Sequence, residues 1–143
     1  MENKNNKKNV AKKPTKKKTE TLYGYIWLGR LNKPVAQKIK KVAADIYVDY
    51  NSLRHIARGR NFILEKLKMD PVTYVQKIVM NYTEIREGKN GALLLVAYIE
   101  ENSKKNIAIV ELQLVAKLSM YVVKTAMPRI KFAENEVVLW AKK

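Results

Sequence analysis

The spacing of hydrophobic and polar positions changes along the chain. In the first half, apolar residues recur every three or four positions, the spacing of a helix that buries one side. Asp70 followed by Pro71 is typical of an N-cap and a first helical turn. Gly59 is expected to end or kink a helix capped by Asn51 or Ser52. The expected elements are helices over residues 34–44, 53–58, 61–68 and 71–82, and a strand over residues 45–50.

From residue 83 onward the apolar pattern indicates strands. Asn90 and Gly91 lie between two apolar runs, which is the strongest short-range signal for a hairpin. Pro128 is expected to end the last long strand because proline cannot donate to a strand ladder. The apolar segment at residues 22–28 is either a short strand or a docking segment. The expected strands cover residues 83–87, 92–100, 107–115 and 118–127, and residues 137–140 form an apolar element of undetermined type.

This order of elements predicts an α+β fold, with the N-terminal helices packed on one face of a four- to five-stranded antiparallel sheet. Residues 1–20 contain too few apolar side chains to offset the entropy of ordering, so we expect a disordered, lysine-rich arm there. Residues 21–143 are expected to form a single α+β domain. The residues expected to be buried in its sheet are Leu94, Val96, Ile109, Leu112 and Val122.

Charge narrows the choice of partner. The 143 residues include 29 Lys and Arg against 13 Asp and Glu, a net charge of +16. The arm holds eight Lys and two Glu, or +6, so residues 21–143 carry +10. Such an excess favours a polyanionic partner, and we expect nucleic acid, with RNA favoured over DNA. An acidic protein partner is the alternative.

Other features of the composition exclude several classes of site. The absence of cysteine excludes disulfides, thiolate catalysis and cysteine-ligated metals, and a single histidine excludes zinc sites built from several imidazoles. We therefore expect no metal and no cofactor. The longest apolar run, residues 92–99, is too short to span a membrane, and no signal peptide is recognisable. The expected location is the cytoplasm or a phage particle assembled there, with no membrane partner.

Arg54, His55, Arg58 and Arg60 form the densest group of side chains suited to chemistry. Histidine exchanges protons near neutral pH, and fixed guanidinium groups stabilise charge on phosphate oxygens. On a helix, His55 and Arg58 occupy neighbouring surface positions. The group could therefore act on a phosphodiester, or it could be a half-buried histidine beside a solvated arginine face.

A second group lies on the last long strand. Period-two alternation predicts that Tyr121 and Thr125 share a face and that Lys124 lies on the other. Arg129, just beyond the expected end of the strand, could reach a phosphate. Tyrosine and threonine are also ordinary strand residues.

The order of motifs from residue 45 onward resembles that of the barnase, EndoU, colicin E5/D and RelE nuclease superfamily, and most of all its phage-borne branch. The matching stretches are Ser-Leu-Arg-His-Ile at 52–56, Asp-Pro-Val-Thr-Tyr-Val at 70–75, Ile-Arg-Glu-Gly at 85–88 and Tyr-Val-Val-Lys-Thr at 121–125. The resemblance implies a metal-independent endoribonuclease fold in which the RNA 2′-hydroxyl attacks the adjacent phosphodiester.

The resemblance also implies roles for individual residues. His55 would be the general acid or base, while Arg58, Thr125 and Arg129 would hold the phosphate, so all four are expected to converge on one site. That branch commonly has a second histidine shortly after the first, where this chain has Arg58, and arginine stays protonated at neutral pH. The chain is thus either an endoribonuclease or a nuclease-derived RNA-binding domain.

The competing hypothesis is a noncatalytic nucleic-acid-binding or phage particle protein that uses its arm and basic surface to neutralise phosphates. On either hypothesis, the residues expected to contact nucleic acid are Arg54, Arg60, Tyr121 and Lys124 in the domain, with Lys12, Lys13, Lys16, Lys17 and Lys18 in the arm.

Overall fold

The computed structural model describes residues 21–22, 24–101 and 104–143, without the side chains of residues 21–22, 59–67, 100–101 and 104–106. The strands are β1 (Thr21–Leu22), β2 (Tyr25–Leu31), β3 (Ala44–Asp49), β4 (Glu84–Glu87), β5 (Leu93–Glu101), β6 (Lys104–Val115), β7 (Met120–Arg129) and β8 (Val138–Ala141). The helices are α1 (Lys33–Lys38), α2 (Tyr50–Leu67) and α3 (Pro71–Asn81), and short 3-10 turns occupy Lys89–Gly91 and Ala116–Leu118.

The strands form one eight-stranded sheet in the order β1-β2-β3-β7-β6-β5-β4-β8. The segment from β4 to β7 is the antiparallel meander that the sequence predicts. The expectation of a four- to five-stranded antiparallel sheet is nevertheless wrong. The sheet is larger and mixed, because β3 pairs in parallel with β7, from Asp45 opposite Met120 to Tyr47 opposite Val122. β2 and β1 extend the sheet beyond β3, and β8 adds to β4.

The three helices lie on one face of the sheet, where they form the main core. Leu53 and Ile56 of α2, and Val75 and Ile78 of α3, pack there against β5, β6 and β7. The other side of the sheet, which we call the open face, carries two smaller apolar clusters. Phe132 packs on one of these clusters. All five residues that the sequence predicts to be buried, Leu94, Val96, Ile109, Leu112 and Val122, are confirmed as buried.

Helix starts follow ordinary capping chemistry. The Asp70 carboxylate accepts a hydrogen bond of 2.7 Å from the Thr73 N–H, and this backbone donor lowers the pKa of Asp70. The predicted cap of α3 is therefore confirmed. The predicted cap of α2, Asn51 or Ser52, is wrong by two or three residues, because Asp49 accepts from the Ser52 N–H at 2.7 Å and the helix begins at Tyr50.

Three other element boundaries differ from expectation. α1 ends at Lys38, because Lys40 adopts a left-handed φ of 59°, and the chain is thereby free to start β3 at Ala44. α2 continues through Gly59 as one helix of 18 residues. β7 continues through Pro128, which pairs with Ala108 at a level where β3 no longer flanks β7. Proline is tolerated where one side of a strand has no neighbouring strand.

Gly29 sets how closely β2 approaches α3. A Cβ atom at this position would lie 3.2 Å from Val79 Cγ1, tighter than ordinary packing, and 3.9 Å from Met80 Sδ. A bulge in the pairing of β2 with β3 lies between Trp27 and Gly29. The strand therefore turns its smallest residue toward the helix at the point of closest approach.

Candidate nucleic-acid interface

The group around His55 lies on the outer side of α2. Leu53 and Ile56 are buried against the sheet, which leaves Arg54, His55 and Arg58 exposed to solvent. The Arg54 guanidinium donates a hydrogen bond to the Asn51 side-chain oxygen. The helix therefore presents an imidazole and two guanidinium groups on its surface. The side chain of Arg60 lies outside the described residues.

Thr125 faces away from this helix because β7 contains a bulge. Leu112 pairs with Val123 and Glu111 pairs with Thr125, so Lys124 has no residue opposite it. The extra residue reverses the alternation: Val123 and the following Ala126 both enter the helix-side core. Thr125 lies between Lys124 and Ala126, opposite Glu111, and faces the open side.

The predicted pairing of Tyr121 with Thr125 on one face therefore does not occur. Tyr121 is on the helix side with only 2% of its surface exposed, and its hydroxyl donates to the Val42 carbonyl at 2.7 Å. Burial raises the pKa of Tyr121. From this position the ring joins β7 to the segment before β3 and does not line a surface. Lys124 is exposed.

Arg129 is used within the fold. Its guanidinium forms an ion pair with Glu136, and the Glu136 carboxylate also accepts from the Ala133 N–H at 2.8 Å. Arg86 adds a hydrogen bond of 2.9 Å to the Glu136 carbonyl and lies 3.6 Å above the centre of the Phe132 ring. These contacts hold residues 129–137 against the sheet, so the positive charge of Arg129 is already compensated.

The same contacts set the protonation of Glu136. Partial burial by itself would raise the pKa of this carboxyl. The Ala133 N–H, Arg129 and Arg86 outweigh that effect, and the net result is a pKa below the usual value of 4.5. The carboxylate form is thus favoured in the folded chain more than in the unfolded one.

We expect Glu136→Gln to lower the free energy of unfolding by about 1 to 2 kcal/mol at pH 7, because a charge-assisted contact is lost in a partly exposed site. A lowered folded-state pKa stabilises the fold above the unfolded-state value near 4.5 and ceases to do so as the pH falls through the folded-state value. Urea unfolding of the unchanged chain and of Glu136→Gln, from pH 7 to pH 3, measures the difference in their free energies of unfolding. The difference should shrink below pH 4.5, and a pH-independent difference would contradict the assignment.

The four residues expected to converge are therefore distributed over different parts of the structure. His55 and Arg58 are on the outer side of α2, Thr125 faces the open side of the sheet and Arg129 is paired with Glu136. No single anion site built from all four follows from this arrangement. The lysines expected from the arm, Lys12, Lys13, Lys16, Lys17 and Lys18, lie outside the described residues.

A different basic cluster forms at one end of the sheet, where three strand connections meet. β2 ends and β3 begins there, since Leu31 pairs with Ala44. β6 ends and β7 begins at the same level, since Val115 pairs with Met120. β4 and β5 join through the Lys89–Gly91 turn at this end as well. We call this surface the lysine end; its cations are Lys33, Lys38, Lys40, Lys41, Lys89 and Lys117.

Two small cavities lie between these segments. One, of about 190 Å³, is lined by Lys41 on one side and by Gly91 and Ala92 of the β4–β5 connection on the other. The second, of about 200 Å³, is lined by Val42 and by Ser119 of the β6–β7 connection. The segment after α1 therefore lies between the two turns that carry Lys89 and Lys117.

All six lysines of the lysine end have exposed side chains. Within the described ranges, the ion pairs are Arg30 with Asp45, Arg86 with Glu84 and Arg129 with Glu136, and none of them involves a lysine. Glu87 is the acidic residue that shares a cavity with Lys41. Like charges held together on exposed loops repel one another, and an anion that bridges them relieves this repulsion.

Sequence reasoning missed this surface, since none of its six lysines is among the residues expected to contact nucleic acid. The signal that could have joined them is that each of three connections ending at the same edge of the sheet carries at least one lysine.

Comparison of the chain with protein-family models, with curated proteins and with solved structures gives no match. The resemblance to the nuclease superfamily therefore stays a prediction. Across the described residues, no group of three or more His, Asp or Glu side chains is arranged to hold a metal ion. No helix in the described part of the chain has the length and apolar character needed to cross a membrane.

Proposed function

We propose that this chain is a noncatalytic nucleic-acid-binding protein, with RNA favoured over DNA, that holds the phosphate backbone mainly through the lysine end. The observation that supports this best is the meeting of three lysine-bearing connections on one exposed surface, with no lysine ion pair among the described residues. Lysine ammonium groups neutralise phosphates as point charges and release the counterions condensed on the nucleic acid.

The remaining charge supports the same proposal. The chain has a net charge of +16, more than the six lysines of the lysine end supply. A field of one sign attracts a polyanion from a distance and increases the rate of encounter. The cytoplasm or a phage particle is the location we propose for this binding.

The geometry favours binding over cleavage. A phosphodiesterase of the expected kind needs a proton-transfer group and phosphate-binding groups around one reacting centre. His55 has Arg54 and Arg58 beside it, but Thr125 and Arg129 are placed elsewhere. The endoribonuclease hypothesis is thus the second candidate, supported by the exposed imidazole between two exposed guanidinium groups.

One experiment separates the two candidates. The purified chain is titrated into a labelled 20-nucleotide RNA at several salt concentrations, and the RNA is then analysed for 2′,3′-cyclic phosphate ends. We expect the RNA to stay intact. We also expect the logarithm of the affinity to fall steeply and linearly with the logarithm of the salt concentration. Cleavage that disappears in His55→Ala would favour the nuclease, and the absence of any binding at low salt would contradict both candidates.

Deletion of residues 1–20 should leave the thermal midpoint nearly unchanged, because the arm has only three apolar residues, and should weaken nucleic-acid binding. If its eight lysines all neutralise phosphates of a single strand, the slope of log affinity against log salt falls by up to about 6. Thermal unfolding and salt-dependent binding measure the two effects. A matched control replaces the eight lysines with glutamine at constant length, and a large loss of thermal stability would show that the arm packs on the domain.

A further inference from the structure

Apolar side chains are exposed among the lysines of the lysine end. Val42 has 53% of its surface exposed, Leu118 has 52% and Leu114 has 39%. Val42 and Leu114 line the same cavity of about 200 Å³, and Ser119, which follows Leu118, lines it as well. Single exposed apolar residues are ordinary on a protein surface, but three of them around one cavity form a patch. We call Val42, Leu114 and Leu118 the apolar patch.

Hydrogen bonds fix both segments that carry the exposed ends of this patch. The Tyr121 hydroxyl donates to the Val42 carbonyl at 2.7 Å. The Ser119 N–H donates to the Ala116 carbonyl at 3.0 Å, which closes the turn that carries Leu118. A surface that is already ordered loses little conformational freedom when a ligand covers it. The apolar patch can therefore be covered at a small cost in entropy.

Positive charge adjoins the apolar patch in both segments. Lys40 and Lys41 directly precede Val42, and Lys117 directly precedes Leu118. All three lysines are exposed. The described residues that line the cavity include no acidic side chain. The ligand that fits such a surface is a polyanion with apolar surface of its own.

A single-stranded nucleic acid has this chemistry. Its phosphates are anions, and its unpaired bases can leave their stack and offer an apolar face to the protein. In a duplex the base faces are stacked on one another, so a protein meets mainly phosphates, sugars and base edges. Leucine side chains placed between neighbouring bases are a recurrent feature of nucleic-acid complexes. The apolar patch is thus suited to contact bases.

We propose that Val42 and Leu118 contact the bases of a single-stranded nucleic acid whose phosphates lie on Lys41 and Lys117. This rests on the proposed function, and it adds a contribution to the affinity that requires unpaired bases. Burial of apolar surface releases no condensed counterions, so this contribution leaves the salt dependence of binding unchanged. It therefore favours single strands over duplex in a way that charge alone does not.

The test compares ligands that differ in their bases. The full chain is titrated at several salt concentrations with a 12-nucleotide oligo-U and with an oligomer of 12 abasic ribose phosphates. A 12-base-pair RNA duplex and polyglutamate are titrated in parallel. We expect oligo-U to bind more tightly than the abasic oligomer, although the two carry the same phosphates.

Removal of the apolar patch should erase this difference. Val42→Ser combined with Leu118→Ser should weaken oligo-U binding by roughly 5- to 50-fold, the loss of two half-exposed apolar contacts. The affinities for the abasic oligomer and for the duplex should stay almost unchanged. The slope of log affinity against log salt for oligo-U should also stay the same, because no charge is removed.

A matched control makes the same kind of change elsewhere. Met80→Ser combined with Ile130→Ser alters two exposed apolar residues, one on α3 and one beyond the far end of β7. This control should bind every ligand as the unchanged chain does. Thermal unfolding checks that the variants fold. If the first variant does not fold, Val42→Thr and Leu118→Gln are tested singly, and each should lose part of the oligo-U affinity and none of the affinity for the abasic oligomer.

The outcomes are distinct. Equal losses for oligo-U and the abasic oligomer, or no loss for either, would overturn the base contact and leave the proposed function standing. If polyglutamate binds more tightly than the nucleic acids, and loss of the apolar patch weakens that binding, the surface fits an acidic protein and both proposals fail. If no polyanion binds at low salt, the proposed function fails, and the base contact fails with it.

Discussion

Replacing four lysines of the lysine end with alanine should weaken single-stranded RNA binding by roughly 10²- to 10³-fold at 0.1 M salt. The variant carries Lys38→Ala, Lys41→Ala, Lys89→Ala and Lys117→Ala, so that each of the three connections loses at least one charge. If all four contact phosphates, the slope of log affinity against log salt should fall by about 3. The free energy of unfolding should change little, because these side chains are exposed and form no ion pair with any described residue.

The matched control removes the same charge from the opposite end and surface of the sheet. Its changes are Lys124→Ala, Lys131→Ala, Lys142→Ala and Lys143→Ala, all at exposed positions. The slope should fall by clearly less than in the lysine-end variant. Equal losses in the two variants would show that binding is dispersed over the whole basic surface, and an affinity loss confined to the control would place the interface near Lys124.

Local sequence patterns predicted the elements that depend on local chemistry. α3 follows from the Asp70 cap, Pro71 and an apolar stripe, and the β5–β6 hairpin follows from two apolar runs separated by a polar turn. In each case the residues that decide the structure lie within about a dozen positions of one another. Such signals are visible in a single sequence.

The errors in the fold come from contacts between distant parts of the chain. The parallel pairing of β3 with β7 joins Asp45 to Met120 across two helices and three strands, and no local pattern specifies it. α2 passes through Gly59, although glycine disfavours a helix, because most helical stability in proteins comes from tertiary packing, here of residues such as Leu53 and Ile56. Tertiary context outweighed local propensity in both cases.

The candidate site was mispredicted for related reasons. A single extra residue in β7, at Lys124, moves Thr125 to the other face, and strict alternation cannot foresee a bulge. Arg129 was expected to hold a phosphate, but Glu136 compensates its charge. The lysine end is assembled from three connections that are far apart in sequence, so its charge density becomes visible only once the order of the strands is known.

The second large effect is expected in the core of the sheet. Ile46 lies in the middle of β3, between β2 and β7, and is fully buried on the helix side. Truncation to alanine would leave a cavity beside the helices that the surrounding strands can fill only in part. We expect Ile46→Ala to lower the free energy of unfolding by roughly 2 to 5 kcal/mol, measured by urea denaturation.

Val138 provides the comparison that makes this result informative. It lies on the edge strand β8 with 47% of its surface exposed, and Val138→Ala should change stability by less than about 0.5 kcal/mol. In the four- to five-stranded antiparallel sheet that the sequence suggested, β3 need not be central. A cost for Ile46→Ala as small as that for Val138→Ala would therefore contradict the mixed sheet, since a buried isoleucine between two strands cannot be truncated without a cavity.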